Sequence, residues 1–246
     1  MRSMNFQLEI IGFTIQGCVS AQAAGAHRIE LCDNEAAGGT TPSYGFIKTA
    51  RQKLSIPLYA IIRPRPGNFI YSEDEIEIMQ ADILQCKVLG CDGVVLGILD
   101  EHGHVDNENC ARLIGLAYPM KVTFHRAFDA VIDPAQSLED LISLGCERVL
   151  TSGGKATAAE GAANIEALVK QADGRIIVMP GSGIRAANIL NIAEKTGATE
   201  FHSSAKIFLE SGHRYNAFLL ASVAQNVGVD EAEVKSMIEI LSSHPG

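Results

Sequence analysis

The sequence predicts an α/β protein built as a single (β/α)8 TIM barrel, and three observations carry that expectation. Short β-rich apolar segments alternate with longer helical patterns along 246 residues. Eight such segments recur, with a mean step of about 28 residues, the rhythm of one strand and one helix per unit. Polar residues gather at the C-terminal ends of the strands, where barrels of this type place their sites. The length suits one domain over 1–246, because α/β barrels close about 200–250 residues around one core. The barrel core is expected over about 6–206, followed by a C-terminal helical tail over 207–246.

The first strand, Gln7–Ile11, sets Leu8 and Ile10 on one face and Glu9 on the other. In the second, Arg28–Cys32, Ile29 and Leu31 face the helices while Glu30 and Cys32 turn into the barrel. Leu58–Arg63 and Gly93–Ile98 follow as the third and fourth. Between them Ser72–Leu89 reads as a helix: Ser72 opens an N-terminal Ser-Glu-Asp-Glu signal, and Ile76, Met79, Ile83 and Leu84 recur at helical spacing. The remaining strands are Lys121–Phe124, Arg148–Thr151, Arg175–Met179 and Glu200–Ser203, and a last helix is expected over Asp230–Leu241. Gly25, Gly90, Gly145 and Gly197 each stand just before a strand, as glycines that end the preceding helix. A doubly wound sheet is the alternative architecture. It favours strands apolar on both faces, whereas Glu9, Glu30, Thr123 and His202 interrupt these strands with polar groups. Carboxylates inside a barrel need partners, water or a ligand.

Composition narrows the function. Hydrophobic residues make up 47% and charged residues 20%, which excludes long disorder. With 20 Lys+Arg against 29 Asp+Glu, the net charge of -9 argues against nucleic acid and anionic membranes as partners. The uncharged run from Ile10 to His27 is diluted by Thr14, Gln16, Gly17, Ser20 and Gln22, so neither a signal peptide nor a membrane span is expected. Six cysteines without a C-x-x-C pair read as reduced thiols in a cytoplasmic protein.

The strand ends supply the candidate site: Cys32-Asp33-Asn34, Arg63-Pro64-Arg65, His125-Arg126 with Asp129, Thr151-Ser152-Gly153-Gly154, Gly181-Ser182-Gly183 and His202-Ser203-Ser204. Convergence of so many polar ends points to a pocket. Its candidate catalytic residues are Glu9, Glu30, Arg63, His125, Asp129 and His202. The histidines could transfer protons, ligate a metal or be structural. Glu9, Glu30 and Arg63 could equally form an internal ion-pair network. The run Gly181-Ser182-Gly183-Ile184-Arg185-Ala186 has dinucleotide-fingerprint spacing, but it stands in the seventh unit and Glu200 opens the eighth strand instead of ending it. An anion site at the last two strands fits better, with Ser152, Gly153, Gly181, Ser182, Gly183 and Ser203 as its donors, although glycines there could only turn the chain. His102 and His104 flank a glycine in what reads as an exposed hairpin. Nucleophile-elbow, H-E-x-x-H and P-loop patterns are absent.

Arg28–Cys32 with Gly38-Gly39-Thr40-Thr41-Pro42-Ser43, Ile61-Ile62-Arg63-Pro64-Arg65, Thr123–Asp129, Arg148–Gly153 and Phe201-His202-Ser203-Ser204-Ala205 closely resemble the CutC family, over about Leu8 to Lys206. The resemblance implies a cytoplasmic TIM barrel, usually a homo-oligomer (dimer or tetramer), implicated in copper homeostasis and proposed to bind copper(I) through thiolates. Cys32 is the metal ligand it implies, while the cysteine it implies in the first strand falls on Ile11. The alternative is an enzyme or binder acting on a small phosphorylated or carboxylated metabolite at the C-terminal mouth. There Gly181–Gly183 and Ser203 hold the anion, Arg63 clamps charge, His125 or Glu30 moves a proton, and Asp129 or Glu9 orients the partner. A non-catalytic barrel binding a metabolite through the same mouth is the third possibility.

Overall fold

Strands β1 (Gln7–Gly12), β2 (Arg28–Leu31), β3 (Leu58–Ile61), β4 (Gly93–Leu96), β5 (Lys121–Phe124), β6 (Arg148–Thr151), β7 (Ile177–Pro180) and β8 (Glu200–Ser203) form one parallel sheet in the order β7-β6-β5-β4-β3-β2-β1-β8. The structure is a computed structural model and describes residues 6–210 and 225–244. β1 pairs with β2 on one side and β8 on the other, setting Glu9 opposite both Arg28 and His202. β7 lies beside β8 and brings the sheet round into the (β/α)8 barrel.

Helices α1 (Ile15–Ala23), α2 (Tyr44–Lys53), α3 (Glu73–Leu89), α4 (Asn107–Ala117), α5 (Pro134–Leu144), α6 (Ala162–Ala172) and α7 (Ile189–Thr196) alternate with the strands. Alternation along each strand divides the interior in two. Leu8, Ile10, Ile29 and Leu31 join the large apolar layer with the helices, whereas Cys32, Tyr59, Ile61 and Val95 form a separate inner cluster with Ile11 and Phe13. Gly93 opens β4 because the Tyr59 ring fills the space beside it, and a Cβ there would stand 2.5 Å from that ring.

Several boundaries differ from the sequence expectation. In α3 the Ser72 capping box with Glu75 forms, but Cys86 takes the buried position after Ile83, and Leu84 is 47% exposed. Leu84 is one residue beyond Ile83 and so lies about 100° round the helix from it. β3 and β4 end earlier than expected, and β7 begins at Ile177 instead of Arg175. The tail is a correction. Of the expected helical tail, 211–224 lie outside the described residues; the described part holds an antiparallel pair, β9 (Lys206–Glu210) and β10 (Gln225–Val229), followed by α8 (Glu231–Ser242). Val227 and Val229, β-branched and flanking Gly228, favour the extended form. β10 packs on α1, where a Cβ on Gly17 would meet Val229. α8 then buries Val234, Met237 and Leu241 and touches both α1 and α7, sealing the join between the first and last helices of the ring.

His102 and His104 stand on an exposed turn closed by the Leu99–Val105 bridge, with the Asp100 carboxylate accepting both histidine backbone N–H groups. Among the described residues, no helix is long and apolar enough to cross a membrane.

Candidate functional site

The lower barrel is filled by charge. Period-two alternation turns Arg28, Arg148 and Glu200 inward at the start of their strands, and Arg28 bridges Glu9 and Glu200, the latter at 2.8 Å. Arg148 reaches Glu200 at 2.8 Å and Glu147 at 3.0 Å, while the Tyr59 hydroxyl donates to Glu147 at 2.9 Å. Both guanidinium groups also lie over the Tyr59 ring, at 5.2 and 5.6 Å. Each buried charge has an opposite partner, which is the condition for keeping it charged out of water.

One strand step higher stand Glu9, His202 and Glu30. Glu9 gives one oxygen to Arg28 and the other to Nδ1 of His202 at 2.7 Å. Burial opposes its ionisation, but Arg28 and the His202 hydrogen bond outweigh burial and hold Glu9 well below the usual carboxylate range. Burial likewise opposes charge on His202, and the hydrogen bond to Glu9 with the nearby Glu30 raises it above an ordinary histidine. Glu30 lies 3.6 Å from His202 Nδ1; burial lifts it to about 7, against the pull of His202. Ligand atoms of these three residues all lie within 4.8 Å of one another. Arg28 already supplies a positive charge to this group through its bridge to Glu9.

Above this trio opens a cavity of about 240 Å³. Its polar walls are Glu30, His202, Arg63, His125 and Arg126, and its apolar walls include Ile11, Ile61, Phe69 and Leu150. Arg63 donates to the carbonyls of Ala37, Gly39 and Gly67 at 2.8, 2.7 and 3.0 Å, tying two loops to the rim. Its Nε is buried without a partner. His125 accepts the Ala127 N–H on Nδ1 at 3.1 Å, which leaves the ring proton on Nε2, and that Nε2 is also buried without a partner. Burial and then the neighbouring Arg63 push this imidazole down to about 3, so it is neutral at physiological pH. Gly97 leaves room for the ring: a Cβ there would stand 2.5 Å from it.

The structure therefore brings Glu30, Arg63, His125 and His202 to one cavity, with Glu9 directly behind. It sets Asp129 elsewhere, as a clasp between the loops after β5 and β6. Asp129 accepts from the Thr151 hydroxyl at 2.6 Å, from the N–H groups of Ser152 and Gly154, and from Arg126 at 2.7 Å. The six candidate anion donors lie outside the cavity walls. The Ser152, Ser182 and Ser203 hydroxyls donate to the carbonyls of Lys155, Ala156 and Ile184. The N–H groups of Gly153 and Gly181 go to Thr151, and the Gly183 carbonyl accepts from Asn188. Near the start of α7 the protein supplies its own anion, since the Ala186 N–H donates to Glu233 of α8 at 2.8 Å. Two larger hollows, about 460 Å³ around Met120 and Arg175 and about 500 Å³ around Phe128 and Asn164, include none of the unpaired buried polar side chains found among the described residues.

Sequence reasoning missed Arg28, Arg148, Glu200 and Tyr59 as partners of the site. Alternation was the available signal: Arg28 and Glu200 stand two residues before Glu30 and His202, Tyr59 is in register with Glu30, and Arg148 is in register with the polar Thr123. Nothing in the sequence marked Phe69, whose ring packs 4.9 Å from His125 and 5.3 Å from the Arg63 guanidinium.

Copper(I) prefers soft sulfur donors. The described cysteines are all free and buried, and at the mouth only Cys32 is near the trio. Burial and then Glu30 raise its thiol well above the usual range, which disfavours the thiolate. Position 11 is Ile, and Met179 Sδ is occupied by Arg28 at 3.4 Å. This donor set does not match a two-thiolate copper(I) site.

A nearly closed ring of eight parallel strands with a polar cavity at their C-terminal ends defines a TIM-barrel protein with its site in the usual place for that fold. The sequence profile of the CutC family matches residues 6–207, and the chain belongs to the CutC family. A CutC family protein from Xylella fastidiosa strain 9a5c is 52% identical over 204 residues, covering 83% of this chain and 76% of that one. The human copper homeostasis protein cutC homolog is 49% identical over 210 residues, covering 85% and 77%. The solved structure of a copper homeostasis protein CutC from Streptococcus agalactiae superposes with a TM-score of 0.78 at 38% identity, covering 81% of this chain and 98% of that one.

Proposed function

We propose that this protein serves copper homeostasis, the role for which its human relative is named, and that its working part is the cavity at the barrel mouth. There it binds a small carboxylated or phosphorylated organic ligand. The observation that carries this reading is the buried, unpaired donor His125 Nε2, on a residue that lines one cavity together with Arg63. A buried donor without an acceptor costs about 1–3 kcal/mol, and an anionic oxygen is the acceptor that relieves it. Charge agrees, since Arg63 brings to the cavity wall a cation with no carboxylate partner among the described residues, whereas Arg126 is paired with Asp129 and His202 with Glu9. At about 240 Å³ the cavity is smaller than the roughly 300–1,000 Å³ of drug-sized sites, so it suits a ligand of few heavy atoms.

The test is calorimetric titration of the protein with inorganic phosphate, pyruvate and phosphoenolpyruvate. Wild type should bind at least one, and His125→Phe, which keeps the ring packing and removes the Nε2–H, should lose about tenfold in affinity, the worth of one hydrogen bond to a charged oxygen. Wild type binding none of the three would overturn the reading.

Copper(I) binding is the second reading, favoured by the names of the relatives and by the position of Cys32 beside Glu30. A lone buried thiol makes a weak site, so anaerobic competition against a copper(I) chelator should give the same result for wild type and Cys32→Ser. We further place the protein in the cytoplasm as a homo-oligomer, a dimer or tetramer. Free buried thiols suit a reducing compartment, and Leu84 and Val88, one turn apart, expose an apolar strip of α3 for self-association. Light scattering of wild type against Leu84→Glu checks the assembly.

A further inference from the structure

At the opposite end of the barrel from the mouth, the fold brings two cysteines together. α3 runs out at Gly90, which takes the left-handed conformation with φ of 78°. The Cys91 N–H then donates to the Cys86 carbonyl at 3.0 Å, and the Gly90 N–H to the Lys87 carbonyl at 3.2 Å. These are the two bonds of a Schellman cap, which folds the chain back so that the residue after the glycine packs on the last turn of the helix. That contact is usually made by two apolar side chains. Here both members are cysteines, and their thiols interact side chain to side chain. Cys86 is fully buried on the core face of α3, while Cys91 is 7% exposed, two residues before β4 begins.

The number of donors selects the metal. Thiolates suit copper(I), zinc and iron–sulfur clusters. A structural zinc takes four protein ligands, and an iron–sulfur cluster takes four cysteines. Among the described residues, the one group of three or more His, Cys, Asp or Glu ligand atoms close enough to share an ion is Glu9, Glu30 and His202, so Cys86 and Cys91 stand as a pair without a third protein ligand. Copper(I), a soft closed-shell ion, is held well by two sulfurs alone.

We propose that Cys86 and Cys91 form a two-thiolate copper(I) site, in which the metal bridges the end of α3 to the start of β4. The proposal rests on the copper-homeostasis role and is independent of the anion reading of the mouth. In loading, each S–H bond breaks and its proton goes to water. The two freed sulfur electron pairs bind the metal as the soluble thiol or chelator that carried it leaves. Copper stays in the +1 state throughout, so no oxidant or reductant is consumed.

The experiment titrates the reduced protein anaerobically with copper(I) held by bicinchoninate, and records copper K-edge X-ray absorption on the loaded samples. Wild type and Cys32→Ser should each withdraw one copper(I) per chain, and Cys86→Ala and Cys91→Ala should each withdraw none. The wild-type spectrum should show two sulfur neighbours and the edge feature of linear copper(I). Should Cys86→Ala not fold, Cys91→Ala at the edge of the core and the wild-type spectrum decide the question. Copper kept in both of those variants and lost in Cys32→Ser would place the metal at the mouth and overturn the proposal. Wild type that withdraws no copper, or holds it through nitrogen or oxygen, overturns it as well. The copper tolerance of cells lacking the protein decides the homeostasis role separately, and the phosphate, pyruvate and phosphoenolpyruvate titrations decide the anion reading.

Discussion

Nδ1 of His202 lies 2.7 Å from Oε1 of Glu9, although the two residues are 193 positions apart in the chain. That bond exists because β8 pairs with β1, and it links the closure of the barrel to the charge state of the cavity floor. Arg28 holds the other Glu9 oxygen, so one carboxylate serves two basic neighbours.

Replacing Glu9 by Gln leaves Arg28 and His202 buried with less negative charge between them. Breaking one partner of a buried ion pair typically costs about 3–5 kcal/mol. Urea denaturation of Glu9→Gln should show a loss of that order, and the His202 imidazole, followed by NMR, should titrate at lower pH than in wild type.

Stability should depend on pH through three groups acting in two opposite directions. Glu30 is raised in the folded protein, to about 7 from 4.5, and His202 is raised above 6.5, so both bind protons more tightly when folded. Their contribution is complete below the unfolded values and is lost as pH rises through the folded ones. Glu9 is depressed, so its contribution is present above about pH 4.5 and is lost as pH falls toward its folded value. Melting temperature should therefore decline from pH 6 toward pH 8, and Glu30→Gln should flatten that decline. A wild-type curve rising over this interval would contradict the assignment.

At the base of the barrel, Gly93→Ala pushes a methyl to 2.5 Å from the Tyr59 ring. Overpacking of this kind costs about 1–3 kcal/mol. Tyr59→Leu removes the ring, so the double variant should be less destabilised than the sum of the single ones, measured by a denaturation cycle.

Asp129 should separate from the cavity experimentally. Asp129→Asn weakens the acceptor of the Thr151, Ser152, Gly154 and Arg126 donors, with an expected cost of about 1–3 kcal/mol. Ligand affinity in the titrations above should change only through Arg126, the one Asp129 partner on the cavity wall, so any change should vanish when Asp129→Asn is made in an Arg126→Ala background. A tenfold loss of affinity with stability unchanged would instead put Asp129 in the site.

Much of the barrel was legible because its signals are local. Alternation placed Leu8 and Ile10 outward and Glu9 and Glu30 inward, and the Ser72 cap and Gly90 marked the ends of α3. The tail was less legible, since the extended form of β10 depends on packing against α1 more than on a strong local pattern. Leu84 shows a similar limit: apolar residues next to each other on a helix cannot all face the core.

The chain on its own determined the eight-unit rhythm, the inward carboxylates and the polar strand ends, because periods of two and 3.6 residues are properties of the backbone. Only the tertiary structure decided which of those polar groups share a cavity. Ser152, Ser182 and Ser203 have the right chemistry for an anion, yet neighbouring carbonyls take their hydroxyl protons. His125 keeps an unpaired donor, and Glu30 is drawn to about 7 by burial that no local pattern encodes. Hydrogen-bond capacity and desolvation depend on every group within a few ångströms, and ring closure supplies those groups from the far ends of the sequence.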